Sequence, residues 1–307
     1  MEAKRKKELL EVLVAELATE RGDEVPRGLD GLDVDALWPI FRGYVNTRPP
    51  WPATEGFLAN QDELLQGMIA EAGIHTLGDA TPSPEDPRLL LWRGDITTLA
   101  ADAIVNAANS QMLGCWVPGH LCIDNAIHTF AGVQLRAECA RLMEAQGYEE
   151  PTARAKVTGA YNLPCKRIVH TVGPIANGFP TSLHRAQLAQ CYSSCLDAVA
   201  AEGLTSIAFC CISTGIFGFP ADQAVAIAVK AVRRWLDTHP DTSMSSVVFN
   251  VFSKSDEDLY ARELAIRPVP SKGRQARQLA KAFKAAFGRL PSTYDTQRSP
   301  DTDTINA

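Results

Sequence analysis

No apolar run in this chain of 307 residues approaches the roughly 20 that a membrane-spanning helix needs, so no membrane span is expected. Positive charge is not in excess. Thirty Lys and Arg against 36 Asp and Glu leave a formal net charge of −6, which argues against nucleic acid as the main partner without excluding a local basic patch. The first residues, MEAKRKKELL, are basic but lead into no apolar h-region and carry early acids, so they do not read as a signal peptide. Eight cysteines in a chain this long make no disulfide framework. They imply a reducing compartment, read here as the cytoplasm, with thiols free to ligate metal or fill core. No Ser/His/Asp arrangement is evident. What is present, 46% hydrophobic and 21% charged residues, fits a globular chain with a sizeable core.

The N-terminal third is helical in pattern. Leu9, Leu10, Val12, Leu13, Val14 and Leu17 give residues 3–20 one broad apolar face, ended by Gly22 and Pro26. A second helix is expected over 33–45 and a third around 61–72. They are joined by TRPPWPAT (47–54), in which each residue before a proline is pushed toward extended geometry. TPSPEDP (81–87) reads as a linker. Residues 1–85 thus form a helical extension, whose plainest reading is packing without chemistry.

From Leu89 the texture changes to short apolar runs alternating with helical patterns. The runs are LLLW (89–92), AIVN (103–106), RIVHTV (167–172), SIAFCCI (206–212) and SVVFNVF (246–252). Helices are expected near 123–146, 182–202, 220–238 and 256–265. Continuous apolar strands separated by helices mean a sheet covered on both faces, an α/β/α sandwich spanning 86–266. Residues 267–307 complete the chain with a basic helix expected at 273–288, marked by Leu279, Phe283 and Phe287, and a polar tail.

In such sheets ligands sit beyond the carboxyl ends of strands, and three loops there carry candidate chemistry. GDIT (94–97) puts Asp95 where its carboxylate can accept from an amine or a ribose, or simply cap a turn. CISTGIFGFP (211–220) offers Ser213, Thr214, Gly215 and Gly218 for close backbone approach before a helix N-terminus, which suits a diphosphate. It is neither a Walker loop nor a GxGxxG fingerprint, and a plain strand-to-helix turn is its alternative.

The third loop, within Asn106–Gly132, holds Cys115, His120 and Cys122, with Asp124 two residues on. Free cysteines are commonly buried as small hydrophobes. Two thiols and an imidazole within eight residues, however, are a zinc-type ligand set, a catalytic one if the fourth position stays open. A closed structural site needs a distant fourth ligand, for which Cys139, Cys165 and Cys211 are candidates. His128 and His170 read as packed and satisfied, and Cys191, Cys195, Cys210 and Cys211 as core.

Taken together, GDIT (94–97), DAIVNAANS (102–110), CIDNAIHTFAG (122–132), KVTGAYNLPCKRIVHTVGP (156–174) and STGIFGFP (213–220) resemble the macrodomain family of ADP-ribose binders and hydrolases. The pieces occur in family order over roughly 88–266. GCWVPGHLC stands where the common hydrolytic type has a glycine-rich loop. That departure is similar to the zinc-dependent branch, as are TRPP (47–50) and FLANQDELLQ (57–66) in the extension.

The resemblance implies a three-layer sandwich with a mixed central sheet and an enzyme that removes mono-ADP-ribose from Asp or Glu esters on proteins. Its partners would be the modified protein and ADP-ribose as product. Carried over by position, Asp95 would bind the adenine amine with the Ile96 backbone beside it, and Phe252 would stack on adenine. Asn109 would hold the distal ribose, and Ser213, Thr214, Gly215, Ile216 and Phe217 would wrap the diphosphate. Cys115, His120 and Cys122 would hold Zn2+, and Asp124, with Asn109, would be catalytic; Phe219 borders the diphosphate loop. A reader without catalysis, or a zinc-stabilised interaction scaffold, is the competing class.

Overall fold

The computed structural model describes residues 1–267. The basic helix expected at 273–288 lies outside them. Three helices come first: α1 (Ala3–Arg21), α2 (Val34–Thr47) and α3 (Glu55–Ala72). Helix α1 stops at Gly22, whose φ of 79° lets its N–H reach the carbonyls of Ala18 and Thr19. Helix α3 begins six residues before the expected Gln61, because the Thr54 side chain accepts from the Phe57 N–H at 3.1 Å and caps it there. Leu9, Leu13, Leu37, Phe41, Leu64 and Leu65 on these helices are buried in the same continuous core as the sheet.

Seven strands follow: β1 (Thr81–Pro82), β2 (Leu89–Arg93), β3 (Ala103–Ala108), β4 (Ala155–Gly159), β5 (Arg167–Val172), β6 (Ser206–Phe209) and β7 (Ser246–Val251). They form one mixed sheet in the order β1-β2-β7-β6-β3-β5-β4, parallel except for the two edges. The edges are the strands the sequence pattern hides. Strand β1 is two exposed residues, and its Pro82 is tolerated because an edge needs no donor on its outer side. Strand β4, AKVTG, is mostly half-buried and lacks the continuous apolar run of the central strands.

Helices α4 (Ile123–Ala131), α5 (Val133–Gln146), α6 (Ser182–Ala201), α7 (Ala221–Thr238) and α8 (Lys254–Glu263) cover the sheet. The single helix expected over 123–146 divides at Gly132, which takes φ 99°. The break has a consequence: the Gln61 side chain, fully buried on α3, accepts from the freed Val133 N–H at 2.9 Å. Among the described residues no helix is long and apolar enough to cross a membrane.

Asp102 pins three strand starts. Its carboxylate accepts from the Thr205 N–H and hydroxyl and the Ser206 N–H, and pairs with Lys166 at 2.6 Å. Partial burial, the largest single influence, raises its pKa, but Lys166 and the Thr205 donors together outweigh it and hold the carboxyl well below the usual range. A depressed folded pKa means the stabilisation is complete above the unfolded value of about 3.9 and is lost as pH falls through the lower folded value. Asp102→Ala is therefore expected to cost about 1–3 kcal/mol at pH 7. In denaturant titrations the gap from wild type should narrow below about pH 4.

Candidate active site

Four of the sequence-predicted segments sit at carboxyl ends of adjacent parallel strands. Asp95 follows β2, Phe252 follows β7, the 211–220 loop follows β6 and Asn109 follows β3. Because these strands are neighbours in that order, the segments line up across the top of the sheet. At about 4.8 Å per strand the row spans about 14 Å.

At its first end, Asp95 Oδ1 accepts from the Thr97 N–H at 2.9 Å and the Thr97 hydroxyl at 2.7 Å, capping a short 3-10 turn whose Ile96 is buried. Burial raises the carboxyl's pKa, partly offset by those bonds. The turn-capping role is real, and it leaves Oδ2 outside both bonds. Phe252 is half-buried beside it in the strand order.

The 211–220 loop joins β6 to α7. Ser213 adopts φ 65°, uncommon for a residue with a Cβ, and its buried Oγ has no hydrogen-bond partner. The loop closes on itself through Gly218 N–H to Gly215 O at 2.8 Å and Phe219 N–H to Ser213 O at 2.9 Å, with Phe219 buried. The carbonyls of Phe217 and Gly218 accept from Ala176, Asn177 and Gly178, so a second loop backs it. Among the described residues, the N–H groups of Thr214, Gly215, Ile216 and Phe217 donate to nothing. A run of unpaired N–H groups in a turn before a helix N-terminus is what an anion nest is made of.

At the other end lies a buried carboxylate. Asp124, on the first turn of α4, is 6% exposed. Its Oδ1 accepts from Asn106 Nδ2 at 2.7 Å, and its Oδ2 lies 3.5 Å from Asn109 Nδ2. Asn106, on β3, is a partner of the candidate acid that the sequence alone does not single out; it sits in an apolar strand run three positions before Asn109. It is held in turn by His170, its register partner on β5, whose Nδ1 lies 3.1 Å away while Nε2 meets the Thr158 hydroxyl at 2.9 Å. Desolvation raises Asp124 to about 7, against the Asn106 bond, and the nearby Cys115 thiolate adds to the rise. A cation beside the carboxylate would act the other way.

In the loop that leads into α4, Cys115, His120 and Cys122 bring one ligand atom each to within 4.8 Å of one another, all half-buried. The Cys115 Sγ to His120 Nδ1 distance is 3.5 Å. A bond from Cys122, with the Val117 N–H and His120, outweighs burial and holds the Cys115 thiol down at about 5, while the thiol of Cys122 is pushed up. One sulfur of the pair is thus favoured as thiolate, the form a metal takes. Two sulfurs and an imidazole at this spacing fit a zinc-type ion. No fourth His, Cys, Asp or Glu joins the group among the described residues.

The distant thiols considered as a fourth ligand are engaged elsewhere. Cys139 lies with His128 and His170 in a separate buried group, Cys165 is buried with its thiol pushed up to about 12, and the Cys211 thiol faces the Asn250 carbonyl at 3.8 Å. His170 is packed and satisfied as expected. His128 is packed but not satisfied: both ring nitrogens are buried without a hydrogen-bond partner, 3.5 Å from Asp124 at the closest. Burial, reinforced by His170 and Arg136, keeps its ring neutral. Its ring also meets the loop, since a Cβ on Gly114 (φ 80°) would come within 2.8 Å of it.

Strand order, the unpaired N–H run and the buried carboxylate place polar groups along one end of an α/β sheet, the end where ligands bind in such folds, and comparison with known proteins gives the family. The Macro domain profile matches residues 105–228. The chain is 50% identical over 254 residues to a protein-ADP-ribose hydrolase of Treponema medium, covering 82% of this chain and 95% of that protein. It is 45% identical over 258 residues to a protein-ADP-ribose hydrolase of Staphylococcus aureus (strain MRSA252), covering 84% and 95%. Among solved structures, a Trypanosoma brucei macrodomain in complex with ADP-ribose aligns with a TM-score of 0.55 at 29% identity, over 72% of this chain and 94% of that one. An Oceanobacillus iheyensis macrodomain with ADP aligns with a TM-score of 0.53 at 35% identity, over 61% and 94%. The chain belongs to the macrodomain family.

Proposed function

We propose that this protein hydrolyses ADP-ribose from modified protein side chains, with the ester on Asp or Glu as its substrate and zinc as its cofactor. The observation that carries the reading is the row across the sheet: an acceptor at Asp95, a ring at Phe252, an anion nest at 214–217, then Asn109 and Asp124 under a Cys/His loop. Its order is that of adenine, diphosphate and distal ribose. The named hydrolases among its relatives support the activity.

In this reading Asp95 Oδ2 accepts from the adenine amine, the Ile96 backbone lies beside the ring, and Phe252 stacks on it. The loop from Ser213 to Phe217 wraps the diphosphate and donates to it through the N–H groups of 214–217. Asn109 holds the distal ribose, and Asp124 beside it orients or deprotonates the attacking water. Water oxygen bonds to the anomeric carbon as the bond to the acceptor oxygen breaks, giving ADP-ribose and a free carboxylic acid. Zinc held by Cys115, His120 and Cys122 would supply polarisation of a ribose or ester oxygen, or a more acidic bound water.

The test is release of ADP-ribose from a protein modified on Asp or Glu, run beside the same protein modified on serine. Release from the first and not the second is expected. Equal release from both removes the ester specificity, and release from neither, with ADP-ribose still bound, makes the protein a reader.

A further inference from the structure

The loop bearing the three candidate ligands is not held by the sheet alone. Its Gly119 N–H donates to Asn46 Oδ1 at 3.0 Å, and its His120 carbonyl accepts from Arg42 at 3.4 Å. Both partners are buried and both belong to α2, in the N-terminal extension. The same two side chains also grip α4, the helix that carries Asp124. Arg42 donates to Asn125 Oδ1 at 2.7 Å, and Asn46 Nδ2 donates to the Thr129 hydroxyl at 3.1 Å. Asn125 returns to the loop, with Nδ2 on the Val117 carbonyl at 3.2 Å and its N–H on Cys122 Sγ at 3.4 Å.

Beneath them Arg136, from α5, ties both parts together. It donates to the Val45 and Asn46 carbonyls at the end of α2 and to the Arg48 carbonyl beyond it, at 3.2, 2.9 and 2.6 Å. A cation on free C-terminal carbonyls is the favourable end of a helix dipole. Its Nε meets the Leu113 carbonyl at 2.6 Å, and the Trp116 ring lies 4.2 Å from its guanidinium carbon. Leu113, Trp116, Val117, Gly119, His120 and Cys122 are therefore each fixed from outside the loop.

We propose that the N-terminal extension is a positioning device for the metal loop, with Asn46 and Arg42 setting the geometry of Cys115, His120 and Cys122. Side chains that hold a metal's ligands in place cost metal affinity when removed, which gives a packing extension a chemical consequence. The proposal rests on the zinc reading above.

The experiment measures zinc affinity of the full chain by competition with a chromogenic chelator. The thiolate-to-metal absorption of the Co2+ form reports cysteine ligation, and its loss in Cys115→Ala assigns it to the loop. Three proteins are compared: wild type, Asn46→Ala and Gln61→Leu. Gln61 joins the extension to the macrodomain through Val133 and Gln134, at 2.9 and 2.8 Å, and is not bonded to the loop. Asn46→Ala is expected to bind zinc about 10–100-fold more weakly, and Gln61→Leu to bind as wild type while melting at a lower temperature. Equal zinc affinity in all three overturns the proposal, as does equal weakening in both variants, which would be general destabilisation. Absence of the Co2+ band in wild type overturns the zinc reading and this proposal with it.

Discussion

Asp124→Asn is expected to lower turnover of an ADP-ribosylated protein by about 10²–10⁴-fold, the range for losing a positioned acid or base, while ADP-ribose binding stays near wild type. The substitution keeps the shape and the acceptor that Asn106 Nδ2 reaches at 2.7 Å. What it removes is the ability to carry a charge or take a proton. The site is built to make that ability available: burial holds the carboxyl near pKa 7, its closest neighbours are the neutral amides of Asn106 and Asn109 and the neutral ring of His128, and the Cys115 thiolate and Arg136 act on it in opposite directions. A buried carboxylate is costly to the fold, so the variant should melt no lower than wild type. Binding is preserved because the Asp95 acceptor and the nest at 214–217 lie on other strands.

Calorimetry with ADP-ribose and a single-turnover assay separate the two effects. A variant that loses both binding and turnover in proportion would make Asp124 a ligand contact and leave the chemistry elsewhere. A variant that hydrolyses at the wild-type rate would remove Asp124 from the mechanism.

Much of this site was legible because its parts are local. Cys115, His120, Cys122 and Asp124 fall within ten residues, and Ser213–Phe219 form one turn, so short spacing places them together whatever the rest of the chain does. The central strands were legible for a related reason, since burial on both faces writes an uninterrupted apolar run. What stayed hidden is pairwise and distant. Asn106 meets His170 across 64 residues, and Asn46 meets Gly119 across 73. Each is an ordinary polar residue in its own segment, and only the fold gives it a partner. The edge strands failed differently: an exposed pair such as Thr81–Pro82 has no burial to leave a periodic mark.

The division at Gly132 belongs to the same class. One helix over 123–146 satisfies every periodicity. The chain instead breaks there, and Gln61 of the extension takes up the freed N–H of Val133. The extension thus completes the macrodomain at two places, the start of α5 and the Cys/His loop. That explains why resemblance to hydrolases in this family covers more than four-fifths of the chain rather than the sheet alone.

Stripping zinc is expected to cost at least about 100-fold in turnover, the roughly 3 kcal/mol or more that Lewis-acid stabilisation supplies, and readdition should restore it. The fold should survive the treatment. Between Leu113 and Leu121 only Gly114 is buried and no side chain joins the hydrophobic core, so circular dichroism of the stripped protein should match that of the loaded one. This separates a catalytic ion from a structural one, whose removal would melt the loop and lower the melting temperature with the activity. The coordination count makes the same distinction. Three ligand atoms from Cys115, His120 and Cys122, with no fourth His, Cys, Asp or Glu in the group among the described residues, would leave one position of a tetrahedral ion to water or substrate. Adding ADP-ribose to the Co2+ form should therefore shift its visible spectrum. A spectrum indifferent to ADP-ribose, with hydrolysis intact after chelation, would make the ion a bystander and return the chemistry to Asp124 and the two asparagines.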